Sequence, residues 1–181
     1  MKSKRVLRTL KFLTILAMAA MFHPGWAMES ADEALIKISY LAKFPKFVEW
    51  PAETPSNGEV AFNFCVLGDE EVNAISAALS GQSIKTEPVK VIDVKRRNSM
   101  NECMALYIAS SEAWRVREII QQLQAKPILS ISEIEGFASQ GGIIELVKQD
   151  ERLKFEINEK AAVRAGLRIS AQLARLAVKI H

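Results

Sequence analysis

Six consecutive apolar residues, Met104-Ala105-Leu106-Tyr107-Ile108-Ala109, constrain this chain more than any other feature. A strand with one wet face alternates apolar and polar side chains, whereas a continuous apolar run suits a central strand covered on both faces by helices. The run therefore predicts a layered α/β domain. Periodicity and turn residues extend the reading, with a strand over 61–67, a helix over 70–79, strands over 89–94 and 103–109, a helix over 112–124 and a strand over 127–131. Segments 142–148 and 152–157 flank Gln149-Asp150-Glu151 and read as an antiparallel hairpin. The expected fold is a single domain with a mixed, mostly parallel sheet of about five to six strands and helices on both faces.

Before the first strand, Leu35, Ile38, Leu41 and Ala42 recur at the spacing of one helical face until Pro45 kinks or ends the pattern. Phe44, Phe47, Val48 and Trp50 then crowd together, and Trp50 should be extended because Pro51 follows it. The aromatic trio Phe44, Phe47 and Trp50 reads either as core or as a partner-binding anchor. Thr54-Pro55-Ser56-Asn57-Gly58 reads as a turn or loop. At the other end, helices are expected over 159–165 and 167–180, with Gly166 as the break. In the second, Ile169, Leu173, Leu176 and Ile180 form one apolar face that should pack on the sheet. No internal repeat or second-domain linker interrupts the pattern.

Residues 1–27 read as a secretory signal peptide, with Lys2, Lys4, Arg5, Arg8 and Lys11, then an apolar stretch from Phe12 to Phe22, then Gly25-Trp26-Ala27 as a small-x-small cleavage site. The apolar stretch is shorter than the roughly 20 residues that span a bilayer. The expected product begins at Met28, is exported, and is not an integral membrane protein. Five of the 24 basic residues lie in this leader and none of the 21 acidic ones do, so residues 28–181 carry a net charge of about −2. An argument for nucleic acid from overall charge is thereby lost. Lys95-Arg96-Arg97 is the one short basic run left, and it reads as a solvated loop rather than a phosphate grip.

The chain has two histidines, His23 in the leader and His181 at the end, so nucleophilic triads lack a base and a zinc site lacks ligands. Glu70-Glu71 falls where a helix should start and Asp150-Glu151 in a hairpin turn, and acids at such places need no catalytic role. Gly141-Gly142 precedes a strand instead of opening a helix, which suits a tight turn or close backbone approach, not phosphate binding. Asn158 is placed to cap the helix that follows it. These readings point to a binding protein without catalytic residues, metal or cofactor. Cys65 and Cys103 both follow the leader, and in an oxidising compartment two such cysteines read as a disulfide.

The run Gly136-Phe137-Ala138-Ser139-Gln140-Gly141-Gly142-Ile143-Ile144-Glu145-Leu146-Val147, then Phe155-Glu156-Ile157-Asn158 and the stretch from Ala161 to Ala177, resembles the YfiR family of small periplasmic proteins. The likeness takes in Tyr40, Phe44, Phe47, Trp50 and Pro51, Phe64-Cys65-Val66-Leu67-Gly68, and Pro127-Ile128-Leu129-Ser130-Ile131-Ser132. The resemblance implies a repressor that binds the periplasmic part of an inner-membrane diguanylate cyclase until envelope or redox stress releases it. It also supports pairing Cys65 with Cys103, while a second cysteine pair found in some members is missing from this chain. A homodimer would suit a regulator of a dimeric receptor. The alternative is a periplasmic small-molecule binding module serving another membrane sensor.

Overall fold

In the computed structural model, which describes residues 25–52, 61–68, 72–97 and 100–181, the apolar run forms the strand Ala105–Ile108 at the centre of a sheet. All four of its residues are buried, and they divide between two cores. Ala105 and Tyr107 face one layer, with Phe62, Phe64, Leu129 and Ile131, while Leu106 and Ile108 face the other, with Cys65, Val116, Ile119 and Leu123. A strand needs apolar side chains at every position only when both faces are covered, as here.

In chain order the strands are β1 Val48–Glu49, β2 Phe62–Leu67, β3 Ser83–Ile84, β4 Glu87–Asp93, β5 Ala105–Ile108, β6 Leu129–Ser132, β7 Ile144–Gln149, β8 Arg152–Ile157, β9 Arg168–Ile169 and β10 Lys179–Ile180. The helices are α1 Gly25–Lys43, α2 Val72–Leu79, α3 Val94–Arg97, α4 Val116–Leu123, α5 Glu159–Arg164 and α6 Ala171–Ala174. Eight strands form the main sheet in the order β10-β8-β7-β6-β5-β2-β4-β3, and β1 pairs with β9 in a separate ribbon. Only β7 with β8 and β3 with β4 pair antiparallel in the main sheet. The sheet is thus mixed and mostly parallel, as expected; the two-residue edge strands β3 and β10 raise the count above the expected five or six. The chain divides into two compact units, Met1–Ala34 and Leu35–His181, and the second is this α/β domain.

The aromatic segment follows the sequence closely. α1 ends at Lys43, Phe44–Phe47 forms a 3-10 turn opened by Pro45, and Val48 is extended. Cys65 of β2 is bonded to Cys103, with Cα atoms 5.6 Å apart, on the α4 face of the sheet. Lys95, expected in a loop, lies in the helical turn α3. Residues 1–24 of the 1–27 leader, the 54–58 turn and Glu70-Glu71 lie outside the described residues, while Gly25-Trp26-Ala27 begin α1.

A larger expectation is overturned near the end of the chain. The segment 167–180, expected as a single helix, is divided into β9, α6 and β10. Gly166 takes φ of +74°, β9 pairs with β1, and Ser170 Oγ accepts from the Leu173 amide to start a short new helix. The open edge of β8 takes the rest: Val178 N and His181 N donate to the carbonyls of Phe155 and Ile157, both at 2.9 Å. Backbone groups at a sheet edge need partners, and this local competition wins over helical spacing. Of the four residues predicted to share a face, only Leu173 is buried; Leu176 is 65% exposed.

Candidate functional site

The region that binds ligands in open α/β sheets lies beyond the carboxyl ends of the parallel strands. Here the ends of β5 and β6 are locked together by Ser132, whose Oγ donates to Ile108 O at 2.8 Å and accepts from Ile134 N at 3.1 Å. The next residue, Glu133, projects from the β6 end into a polar cluster. Lys37 Nζ of α1 lies 2.6 Å from Glu133 Oε2, and Ser110 Oγ donates to Glu133 Oε1 at 2.9 Å. Burial pushes the Glu133 carboxyl up, but the hydrogen bond and charge of Lys37, with the Ser110 and Tyr107 hydroxyls, outweigh it and hold the group below its ordinary value. The cluster ties α1 to the strand ends.

Beside this cluster runs an open groove of about 540 Å³, with Glu133, Glu135, Arg117 and Gln140 among its lining residues. Its rim carries Trp114, which is 81% exposed. Arg115 lies over the indole at 5.4 Å and its Nε meets buried Glu112 Oε2 at 2.6 Å, so the guanidinium holds the exposed ring from one side. An exposed tryptophan beside a polar groove suits an anchor for another molecule. The sequence reading missed Trp114. The signal was available in its helical phase: Val116, Ile119, Ile120 and Leu123 make the buried face of the segment, and Trp114 falls off that stripe.

The aromatic trio is placed differently from Trp114. Phe44 is 1% exposed, stacked on Tyr40 and edge-on to Phe155. Phe47 and Trp50 pack against the same core but keep part of their surface in water. Trp50 is fixed by its Nε1, which donates to Pro127 O at 3.0 Å, and by its edge-to-face contact with Phe62.

The Gly136 to Val147 run has a specific physical role. Glu145 on β7 is buried, and its two carboxylate oxygens accept from Gly136 N at 2.8 Å and Ala138 N at 2.9 Å. Asn158 donates from Nδ2 to Ala138 O at 2.7 Å, while its Oδ1 accepts from Ala161 N at 2.8 Å, the expected cap. Gly142 passes so close to the Phe137 ring that a Cβ would overlap it. The loop between β6 and β7 is thus held by Glu145 of β7 and by Asn158, the cap that follows β8, and is built as a rigid wall. Among the described residues, no group of three or more His, Cys, Asp or Glu side chains converges in a manner suited to a metal ion.

Fold and site together define a layered α/β domain with stapled loops and an exposed aromatic rim. A family model described as YfiR/HmsC-like matches residues 34–178, and the chain belongs to that family. At the family level this makes it a periplasmic regulator of diguanylate cyclase signalling. No curated protein matches the chain. Among the described residues no helix is long and apolar enough to cross a membrane.

Proposed function

We propose that this protein, exported by way of a signal peptide at residues 1–27, binds the periplasmic part of an inner-membrane diguanylate cyclase and represses it without catalysing a reaction itself. Family membership over residues 34–178 is the observation that carries this reading. Repression works as a coupling of equilibria, in which the regulator binds the inactive cyclase conformation more tightly than the active one. Trp114 is the foremost anchor because it is the most exposed aromatic residue among the described residues, and the partly exposed Phe47 and Trp50 supply a second contact. The buried Phe44 acts by holding that segment in place. Reduction of Cys65–Cys103 weakens the fold and so releases the client.

Intracellular cyclic-di-GMP in a strain lacking the gene, against the same strain complemented in trans, tests the proposal. Repression predicts a rise on deletion that the wild-type gene reverses and Trp114→Ala reverses incompletely, at equal exported protein. An unchanged level under both oxidising and reducing growth would sink it. A second reading, a small-molecule module for another sensor, draws on a cleft of about 360 Å³ lined by Ile120, Leu123, Ile128, Ile143, Arg164 and Ala165. That reading requires a saturable ligand and no cyclase partner.

A further inference from the structure

The sheet face that carries the disulfide also carries a basic groove of about 420 Å³. Lys95 of α3, Arg115 just before α4 and Lys126 just after it line this groove, with Asn101 and Gln122 as amide neighbours, and among the described residues no acidic side chain lines it. Glu112 Oε2 takes Arg115 Nε from outside the groove, and Asp93 Oδ1 accepts the Lys95 backbone amide at 3.0 Å. Lys126 Nζ donates to Asn101 Oδ1 at 3.0 Å, a neutral acceptor that orients the ammonium without cancelling its charge. Three cations converging on a concave surface concentrate positive potential there, although the chain from residue 28 onward is slightly acidic.

One wall of the groove is the turn that ends at the disulfide. Met100 and Asn101 line the groove, and Cys103 N donates to Met100 O at 3.2 Å, while Cys103 is bonded to Cys65 on β2. Asn101 reaches from this turn to Lys126 across the groove. The bridge therefore fixes the position of the wall relative to β2, on the face that α4 covers.

We propose that the groove binds a small free anion of phosphate or sulfate chemistry bearing two or more negative charges, and that bound anion opposes reduction of Cys65–Cys103. An anion held between Lys95, Arg115 and Lys126 makes charge-assisted hydrogen bonds that need the wall in place. Reduction by a dithiol converts the bridge to two cysteine thiols and the reagent to its own disulfide, releasing the anchor of that wall. The anion then loses affinity, and by reciprocity its presence makes reduction harder. The site does not depend on the identity of the client and stands or falls separately from the cyclase proposal.

Calorimetric titration of the exported chain with inorganic pyrophosphate tests the site. Saturable binding that weakens with added salt is expected, and Lys126→Gln or Lys95→Gln should each weaken it about tenfold, whereas Lys154→Gln, on the hairpin, should not. Absence of saturable binding, or equal binding by Lys126→Gln and wild type, overturns the site. Capture by phosphatidic acid vesicles that pyrophosphate cannot compete away overturns it in favour of a membrane surface. The coupling is read from the rate of thiol appearance under dithiothreitol. Saturating pyrophosphate should slow it several-fold in wild type and have no effect in the Lys95→Gln/Lys126→Gln double variant, and equal slowing in both would overturn the coupling.

Discussion

At the scale of single residues, buried polar groups and one missing side chain carry most of the structural information. Gly142→Ala should destabilise the domain by about 1–3 kcal/mol, because the added methyl must displace the fully buried Phe137 ring. A lower urea midpoint with an unchanged slope would show this. Glu145→Gln keeps one acceptor but turns an amide donor toward one of the two backbone N–H groups of Gly136 and Ala138. It should cost about 1–3 kcal/mol by the same measurement. Glu133 makes a pH-dependent contribution. Its folded carboxyl titrates below the ordinary value of 4.5, so its stabilisation is complete above the unfolded value and is lost as pH falls through the folded one. Glu133→Gln should therefore flatten the acid limb of stability against pH below about 4.5 and lower stability at neutral pH. A limb identical to wild type would contradict the assigned partners.

Among the secondary-structure elements, the decisive competition is at the β8 edge. β10 covers that edge in parallel, and His181 Nε2 lies 2.7 Å from Glu156 Oε2 where the strap ends. A chain ending at Val178 should keep its core but expose a longer sheet edge, and light scattering should show concentration-dependent association beyond that of the full chain. A truncated chain that associates no more than the full chain would show that the β8 edge does not need the strap to stay unpaired. The strands themselves were legible because their signals are local: apolar runs bounded by turn residues at β2, β5 and β6, and a turn of Asp150 and Glu151, both at positive φ, between β7 and β8. The segment 167–180 was misread because its helical spacing is real but weak, while β8, which recruits its end, is distant in the fold's logic and invisible to periodicity.

For the molecule as a whole, the bridge between Cys65 and Cys103 spans 38 residues of sequence and joins β2 to the entrance of β5. On the chain-entropy model its loss costs about 4 kcal/mol, a large part of the typical 5–15 kcal/mol of a domain. The Cys65→Ser/Cys103→Ser variant should unfold at markedly lower urea, and a midpoint within error of wild type would remove the bridge from any account of stability. The sequence by itself determined the layered α/β class, the central strand, the hairpin, the Asn158 cap and the family, because each is written in neighbouring residues or in motifs that survive as text. Tertiary structure alone decided which of the aromatic side chains reach water, and that Glu133 meets Lys37 across 96 residues of chain. It also decided that Lys95, in a run that reads as solvated, lines one groove with Arg115 and Lys126. Exposure and charge convergence depend on which surfaces the sheet order brings together, and that order is a property of long-range pairing that no local pattern encodes.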